Sequence, residues 1–364
     1  MSIIQGEEME KLKVGIIGAG GISQAAHIPN FQKVEGVEVA GLCDINEEKL
    51  NFVSDKFKIP QKFTKWENLI EENLDIIVIA SPNVFHKEQA VLSMKNDKHV
   101  LCEKPIALTG KEAEEIIKTA EKTGKIFMGA FPQRFASHTY VMKNMIENGE
   151  FGDIYYAKAS YLRRRGIPGL GGWFTTKRLS GGGPMLDVGV HILDLVIYLM
   201  GCPEPKTVIG TTFNKFKNSA TDGGWPPSES RIGDKIGKTF DVEDLASGFV
   251  QFKNGNSLFI EASWAGNSET GLKVSLFGTK SGAQYSSEEK QQVKIFSEQN
   301  GILTDISPIL TNVDSYLEEV KHFVECIRKN KEPITKPKEI ITVAKIIEAL
   351  YKSAETKKPV QIDS

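Results

Sequence analysis

Five short, almost uninterrupted apolar runs, each trailed by a segment of helical spacing, constrain this chain more than any other feature. They are KVGIIG (13–18), VEVAGLCD (37–44), LDIIVIAS (74–81), HVLCEK (99–104) and KIFMGAF (125–131). A strand that is apolar on both faces has to be covered on both. The stretches NEEKLNFVSDKF, VFHKEQAVLSMKN and TGKEAEEIIKTAEKTG supply the covers, so the first third reads as a doubly wound parallel sheet. From about residue 151 the pattern becomes alternating, in DIYYAKASYLRRR, KTVIGTTFNKF, DLASGFVQF, NSLFIEASWAG and LKVSLFG, and Asn254-Gly255 stands where a hairpin turn would join two of these segments. A largely antiparallel sheet carrying a few helices is expected there. A chain of 364 residues exceeds what one hydrophobic core usually supports.

The first strand runs into KVGIIGAGGIS, a glycine turn that opens a helix. Gly18 permits the tight turn. Gly20 lets a backbone approach a pyrophosphate, whose charge is met by amides and by the positive end of the helix. Ser23 takes the position of the third glycine, and Pro29 should kink the helix or end it early. Asp44 closes the second strand, 21 residues beyond Ser23. A carboxylate there accepts hydrogen bonds from both ribose hydroxyls and repels a 2′-phosphate, so NAD is expected in preference to NADP. Gly21 and Ile22 belong to the same turn. Ser81, Asn83 and His86, in SPNVFH, fall where the fourth-strand loop reaches a cofactor; Asn83 and His86 could instead cap the next helix.

Two further motifs carry chemistry. In CEKPIALT (102–109), Glu103 and Lys104 lie at the carboxyl end of a strand, facing the crevice where such sheets bind ligands. In GGGPMLDVGVHILDLVIYLMG (181–201), Asp187, His191 and Asp194 form an i, i+4, i+7 stripe on an otherwise apolar helix. The stripe can be a metal site, a structural network or an acid–base centre. Three local ligands with no Cys/His cluster nearby make a poor metal site, and none is expected. The separate dinucleotide and EKP signals point to acid–base work by Asp187 and His191, with Asp194 structural because it lies two turns below the glycines.

The turn Gly18-Ala-Gly20-Gly21-Ile22, Asp44, Ser81-Pro-Asn83-x-x-His86, Glu103-Lys104-Pro105 and Gly182-Gly183-x-x-x-Asp187-x-x-x-His191 occur together, in order and well spaced. In this the chain resembles the glucose-fructose oxidoreductase/inositol dehydrogenase/MocA (Gfo/Idh/MocA) family of NAD(P)-dependent oxidoreductases. The resemblance implies an N-terminal Rossmann domain, a C-terminal α/β domain on a large open, mostly antiparallel sheet, and a homodimer or homotetramer formed through that sheet. It also implies Lys104, Asp187 and His191 as the catalytic group and Asp44 as the cofactor selector. We set the expected boundary between 1–132, the dinucleotide-binding domain, and 133–364, the substrate-binding and oligomerisation domain, with the last helix packing back on the first.

The expected activity is hydride transfer between a secondary hydroxyl of a sugar, inositol or sugar derivative and NAD. An NAD-dependent glycosidase acting by transient oxidation and elimination, or a non-catalytic NAD sensor, are the alternatives. Arg163, Arg165 and Trp173, in the segment leading to the polar-striped helix, and Arg134, in FPQRF, are candidates for holding a polyhydroxylated substrate. Residues 217–240, rich in Gly, Pro, Ser and Asp, read as a surface excursion, a lid or a partner-contacting arm. A net charge of −2 gives no reason to expect nucleic acid or a membrane surface as partner. Four scattered cysteines without CxxC spacing, and no apolar leader, fit a cytoplasmic protein.

Overall fold

The computed structural model describes residues 11–219, 221–234 and 237–362. Strands β1 Leu12–Ile17, β2 Val37–Cys43, β3 Gln61–Phe63, β4 Ile76–Ile79, β5 His99–Cys102 and β6 Phe127–Gly129 form one parallel sheet in the order β3-β2-β1-β4-β5-β6. Five of the six are the apolar runs, and all four residues of β4 are buried. The order reverses between β1 and β4, so the strand ends there open a crevice. Helix α1, Ile28–Phe31, is preceded by a π-helical turn, Ser23–His27, and the helix ends two residues beyond Pro29, as a ring without an amide proton requires. The other covers are α2 Glu47–Phe57, α3 Trp66–Glu71, α4 His86–Lys95 and α5 Gly110–Thr123. Asn46 and Thr109 cap α2 and α5, accepting from the amides of Lys49 and Glu112.

After α6, Ser137–Glu147, the second sheet begins. Its strands are β7 Ile154–Leu162, β8 Pro205–Phe213, β9 Leu245–Phe252, β10 Ser257–Ser263, β11 Gly271–Gly278, β12 Gly282–Ser286, β13 Val293–Gln299, β14 Ile302–Ile306 and β15 Val360–Gln361. They stand in the order β14-β13-β12-β11-β7-β10-β9-β8-β15, antiparallel except for β7 against β10. The Asn254-Gly255 turn joins β9 to β10, with Gly255 at φ +91°. One face of this sheet is exposed and carries Ile209, Phe213, Phe249 and Phe277.

The other face is covered by helices. After the short α7, Lys177–Ser180, comes a π-helical turn, Met185–Gly189, continuous with α8, Val190–Leu199. The segment 177–199 has the length and apolar composition of a membrane span, yet 83% of its most apolar window is buried inside the fold. It is a core helix, each fully buried Leu or Ile contributing about 1.5–3 kcal/mol. Helices α9, Ser315–Lys329, and α10, Pro337–Thr356, follow the sheet. Both return to the first sheet's layers: α9 packs on α1, and α10 lies between α5, α8 and β8.

Arg134 corrects one expectation. It follows β6 but turns away from the crevice and is 3% exposed. Its Nε and Nη2 donate to the two carboxylate oxygens of Asp194 at 2.8 and 2.6 Å, and Nη1 donates to Glu339 at 2.5 Å. A buried carboxylate on α8 needs a cation, and a planar guanidinium meets it with two parallel bonds. Asp194 is therefore structural and Arg134 is its partner. Removing one member of a buried pair strands the other, so Arg134→Ala should lower unfolding free energy by about 3–5 kcal/mol. Denaturant unfolding measures this; a stable variant with a raised substrate KM would return Arg134 to the cleft.

Candidate active site

The glycine turn leaves β1 at Gly18, whose φ of +102° favours glycine, and a Cβ there would stand 2.4 Å from the Ala80 carbonyl oxygen. Ser23 ties the turn down, its hydroxyl donating to the Gly18 carbonyl at 2.6 Å. Nothing lies within 4 Å of a Cβ built on Gly20, so the backbone is open to a ligand there. The Asp44 carboxylate is fixed beside it, accepting from the amides of Ala19 at 2.9 Å and Asn46 at 2.8 Å. Each oxygen keeps a lone pair, which is what a ribose diol requires. An open glycine, helical amides and a fixed carboxylate fit a dinucleotide.

From this turn a cavity of about 310 Å³ runs between the two sheets. Ile22, Ser81, Asn83, Glu103, Lys104, Asp187 and His191 all border it. The structure thus brings EKP and the polar stripe together across 83 residues of chain. The Lys104 Nζ donates to Asp187 Oδ1 and to the Asp187 carbonyl, both at 2.8 Å. Trp264, at the end of β10, donates its indole N–H to the other carboxylate oxygen at 2.8 Å. Burial pushes the Asp187 carboxyl up, but the charges of Lys104 and Arg163 and the bonds from Lys104 and Trp264 outweigh it and hold it below its usual range. Both Asp187 oxygens are therefore committed to Lys104 and Trp264, which leaves the neighbouring imidazole free. Asp187 lies in the π-helical turn, whose i→i+5 bonds put more residues into the turn than an α-helix does.

His191 lies one turn on. Burial, then the Lys104 charge, push its imidazole down to about 3 against the opposing carboxylates of Glu103 and Asp187. Its Nδ1 is buried without a hydrogen-bond partner among the described residues. The ring is neutral at ordinary pH, the form that accepts a proton. Glu103 has its own partner: Oε1 meets His27 Nε2 at 2.8 Å and Oε2 accepts from the Lys104 amide at 3.2 Å. Burial raises this carboxyl, while His27 and Lys104 pull it below its ordinary range. The Lys104–Pro105 peptide is cis.

Other sequence candidates separate. Arg163 and Trp173 border the cavity, Trp173 stacked on Phe174 with ring centres 3.8 Å apart. Arg165 does not; it is exposed, lies over the Phe216 ring and donates to Asn267. His86 also leaves the list. It is 1% exposed and does not border the cavity. Its ring sits between the Pro105 and Ser81 carbonyls, 2.7 and 2.8 Å from its two nitrogens, and with burial lowering its pKa its single N–H donates to one of them, bracing the strand-end loops. Asn83 donates to the Ser180 carbonyl rather than capping a helix.

Sequence reasoning missed several contributors. Trp264, which no local motif marks, is fully buried and bonded to Asp187. Tyr161 and Tyr316 border the cavity from β7 and α9 without any local motif. Within the 217–240 segment, the described residues 221–234 reach across the glycine turn. Trp225 borders the cavity, Pro226 stands 2.6 Å from a Cβ built on Gly21, the Asn46 amide donates to the Ile232 carbonyl, and Lys49 pairs with Asp234.

Comparison with known proteins decides the family. Residues 12–131 match the model described as "Oxidoreductase family, NAD-binding Rossmann fold", and residues 143–362 match "Oxidoreductase family, C-terminal alpha/beta domain". The chain belongs to the Gfo/Idh/MocA family. It is an NAD-binding oxidoreductase of the dehydrogenase type. D-Glucoside 3-dehydrogenase of Escherichia coli K12 is 34% identical over 281 residues, 75% of this chain and 76% of that one. Glucose-6-phosphate 3-dehydrogenase of Bacillus subtilis 168 is 35% identical over 195 residues, 51% of this chain and 53% of that one. A levoglucosan dehydrogenase solved with NADH and L-sorbose shares the fold with a TM-score of 0.83 at 21% identity, covering 98% of this chain and 100% of its own.

The His191 environment makes a pH prediction. Because its pKa is lowered to about 3, the imidazole stays in its accepting form as pH falls from 8 to 5. The acid limb of kcat/KM, measured with saturating cofactor, should lie below pH 5. A limb near the ordinary histidine value of about 6.5 would show instead that His191 titrates in solvent-like surroundings.

Proposed function

We propose that the chain oxidises the C3 hydroxyl of a glucoside, with NAD as the acceptor. The observation that carries this reading is the Lys104–Asp187 pair facing the cavity beside neutral His191, reached from an open glycine turn. The substrate follows from the relative that covers three quarters of the chain, a D-glucoside 3-dehydrogenase. The same relative favours net oxidation over elimination.

Bound NAD supplies the hydride acceptor. The chain supplies the rest. Lys104, at the cavity wall, donates to the oxygen of the reacting hydroxyl and polarises it. His191 takes the proton as the carbon is oxidised. Asp187 holds the Lys104 ammonium in place and is itself held by Trp264. Gly18, Gly20, Gly21 and Ile22 receive the diphosphate, Asp44 the adenosine ribose, and Ser81, Asn83 and Glu103 the nicotinamide side. Arg163 offers donors to sugar hydroxyls, and the Trp173 face suits a pyranose ring.

The exposed apolar face of the second sheet supports a homo-oligomer assembled through it. Ile209 and Phe249 pair across β8 and β9, and Phe213 and Phe277 are exposed on the same face, an apolar surface of the kind that marks an interface. Phe249→Asp should leave a monomer in sedimentation, whereas an unchanged assembly would place the interface elsewhere. Four free, buried cysteines fit the reducing compartment proposed for the chain.

The activity test is a panel of methyl glucosides, free hexoses, glucose 6-phosphate and inositols with NAD, followed at the NADH absorbance band. Methyl glucosides should give the highest kcat/KM, and NMR of the product should show a C3 ketone. His191→Asn should lose roughly 10²–10⁴-fold in kcat while binding NAD normally, the usual contribution of a placed base. A ketone at another carbon would overturn the proposed regiochemistry, and native turnover by His191→Asn would overturn its role.

A further inference from the structure

The glycines before the polar-striped helix are crowded from behind. A Cβ on Gly182 would stand 2.3 Å from the Tyr351 hydroxyl oxygen, and one on Gly183 would stand 2.2 Å from the Glu243 carbonyl oxygen. The same two residues bind the helix start. The Gly183 amide donates to Glu243 Oε2 at 2.9 Å, the Met185 amide approaches Oε1 at 3.5 Å, and the Tyr351 hydroxyl donates to Oε1 at 2.6 Å.

Glu243 is 8% exposed, and no Lys, Arg or His pairs with it among the described residues. Burial pushes its carboxyl above the ordinary range, countered by the Tyr351 hydroxyl and by the Gly183 and Met185 amides. What the carboxylate faces is the amino end of the helix that bears Asp187 and His191, where the amides and the helix dipole favour negative charge. Gly182 and Gly183 border the cavity with their other side. Glu243 and Tyr351 therefore stand one residue behind its wall. The turn they grip, Met185–Gly189, is π-helical, a geometry frequently met at functional sites. Asp187 lies inside it.

We propose that Glu243 and Tyr351 are positioning residues for the reaction. They fix the first turn of the helix so that Asp187 meets Lys104 and His191 faces the reacting hydroxyl. The inference rests on the reading that Lys104, Asp187 and His191 carry the chemistry. A displacement of about 1 Å in such a constellation costs about 10²-fold in rate.

Tyr351→Phe removes one hydroxyl and keeps the ring, and Glu243→Gln keeps the shape while removing the charge. Both should fold. Both should lower kcat about 10- to 100-fold without weakening NAD, and a substrate deuterated at the reacting carbon should show an increased isotope effect on kcat. Ser353→Ala is the control on the same helix. It removes a buried hydroxyl that accepts from the Gly210 amide at 3.0 Å and donates to the Lys358 carbonyl at 2.7 Å, away from the cavity. It should lower Tm with native kcat. If Tyr351→Phe lowers Tm as the control does and leaves kcat and the isotope effect native, the proposal is overturned. Should Glu243→Gln fail to fold, Tyr351→Phe decides alone. His191→Asn and Lys104→Met separate the two levels. If they turn over normally, the site reading fails; if they are inactive while Tyr351→Phe is native, only the positioning role fails.

Discussion

The ion pair between Lys104 and Asp187 is the contact on which the rest of the site depends. Lys104 comes off the first sheet and Asp187 off the helix that covers the second, so one bond spans the two halves of the molecule. A pair so deeply placed gains little net stability, because taking both charges from water costs about as much as their attraction returns. Its consequence is geometric: it sets the ammonium at one spot on the cavity wall. It also sets the charge balance around His191. The imidazole lies near two cations, Lys104 and Arg163, and two carboxylates, and burial together with the cations prevails, which keeps the ring neutral. Trp264 completes the arrangement, because its N–H is the partner of the second Asp187 oxygen, and a buried acceptor left without one is costly.

Much of the frame was legible in the sequence because its strands are apolar on both faces. β1, β2, β4, β5 and β6 each interrupt helical spacing with an almost unbroken apolar run, and the glycine turn follows β1 directly. β3 was not legible. It has three residues at the sheet's edge with two of them exposed, so no periodicity could form. β14 failed for the same reason: every one of its residues is exposed or half-buried, and its apolar side chains do not alternate.

The site divides along a similar line. Motif residues at a strand or helix end, such as Asp44, Lys104, Asp187 and His191, stand out in the sequence, and the structure puts them beside the glycine turn or on the cavity wall. Residues whose role depends on a distant partner were misplaced or missed. Arg134 looks like a cleft residue because it follows a strand of the parallel sheet, yet its carboxylate partner lies 60 positions on, and spacing carries no trace of that. His86 sits on a cofactor-facing loop, but two carbonyls claim its ring. The 217–240 segment has the composition of a surface excursion, and only its contacts with Gly21, Asn46 and Lys49 reveal where it lies.

The three glycines before the helix show why composition and cause must be separated. A Gly-Gly-Gly run ahead of a polar stripe suggests space for a substrate, and the cavity does reach Gly182 and Gly183. Their lack of side chains is nonetheless imposed from the opposite side, by α10 and by the segment that leads into β9. Three of the polar ties of α10 bear on this. Glu339 meets Arg134 below Asp194, Glu348 accepts from the amide of Gly110 at the start of α5, and Tyr351 reaches Glu243 beneath the glycines. One helix thus braces the polar-striped helix behind its first turn and, through Arg134, at Asp194, and is tied to the first sheet's covering layer. The spacing between Lys104 and Asp187, set by elements from the two sheets, is held by a part of the chain that contributes nothing to the cavity's chemistry.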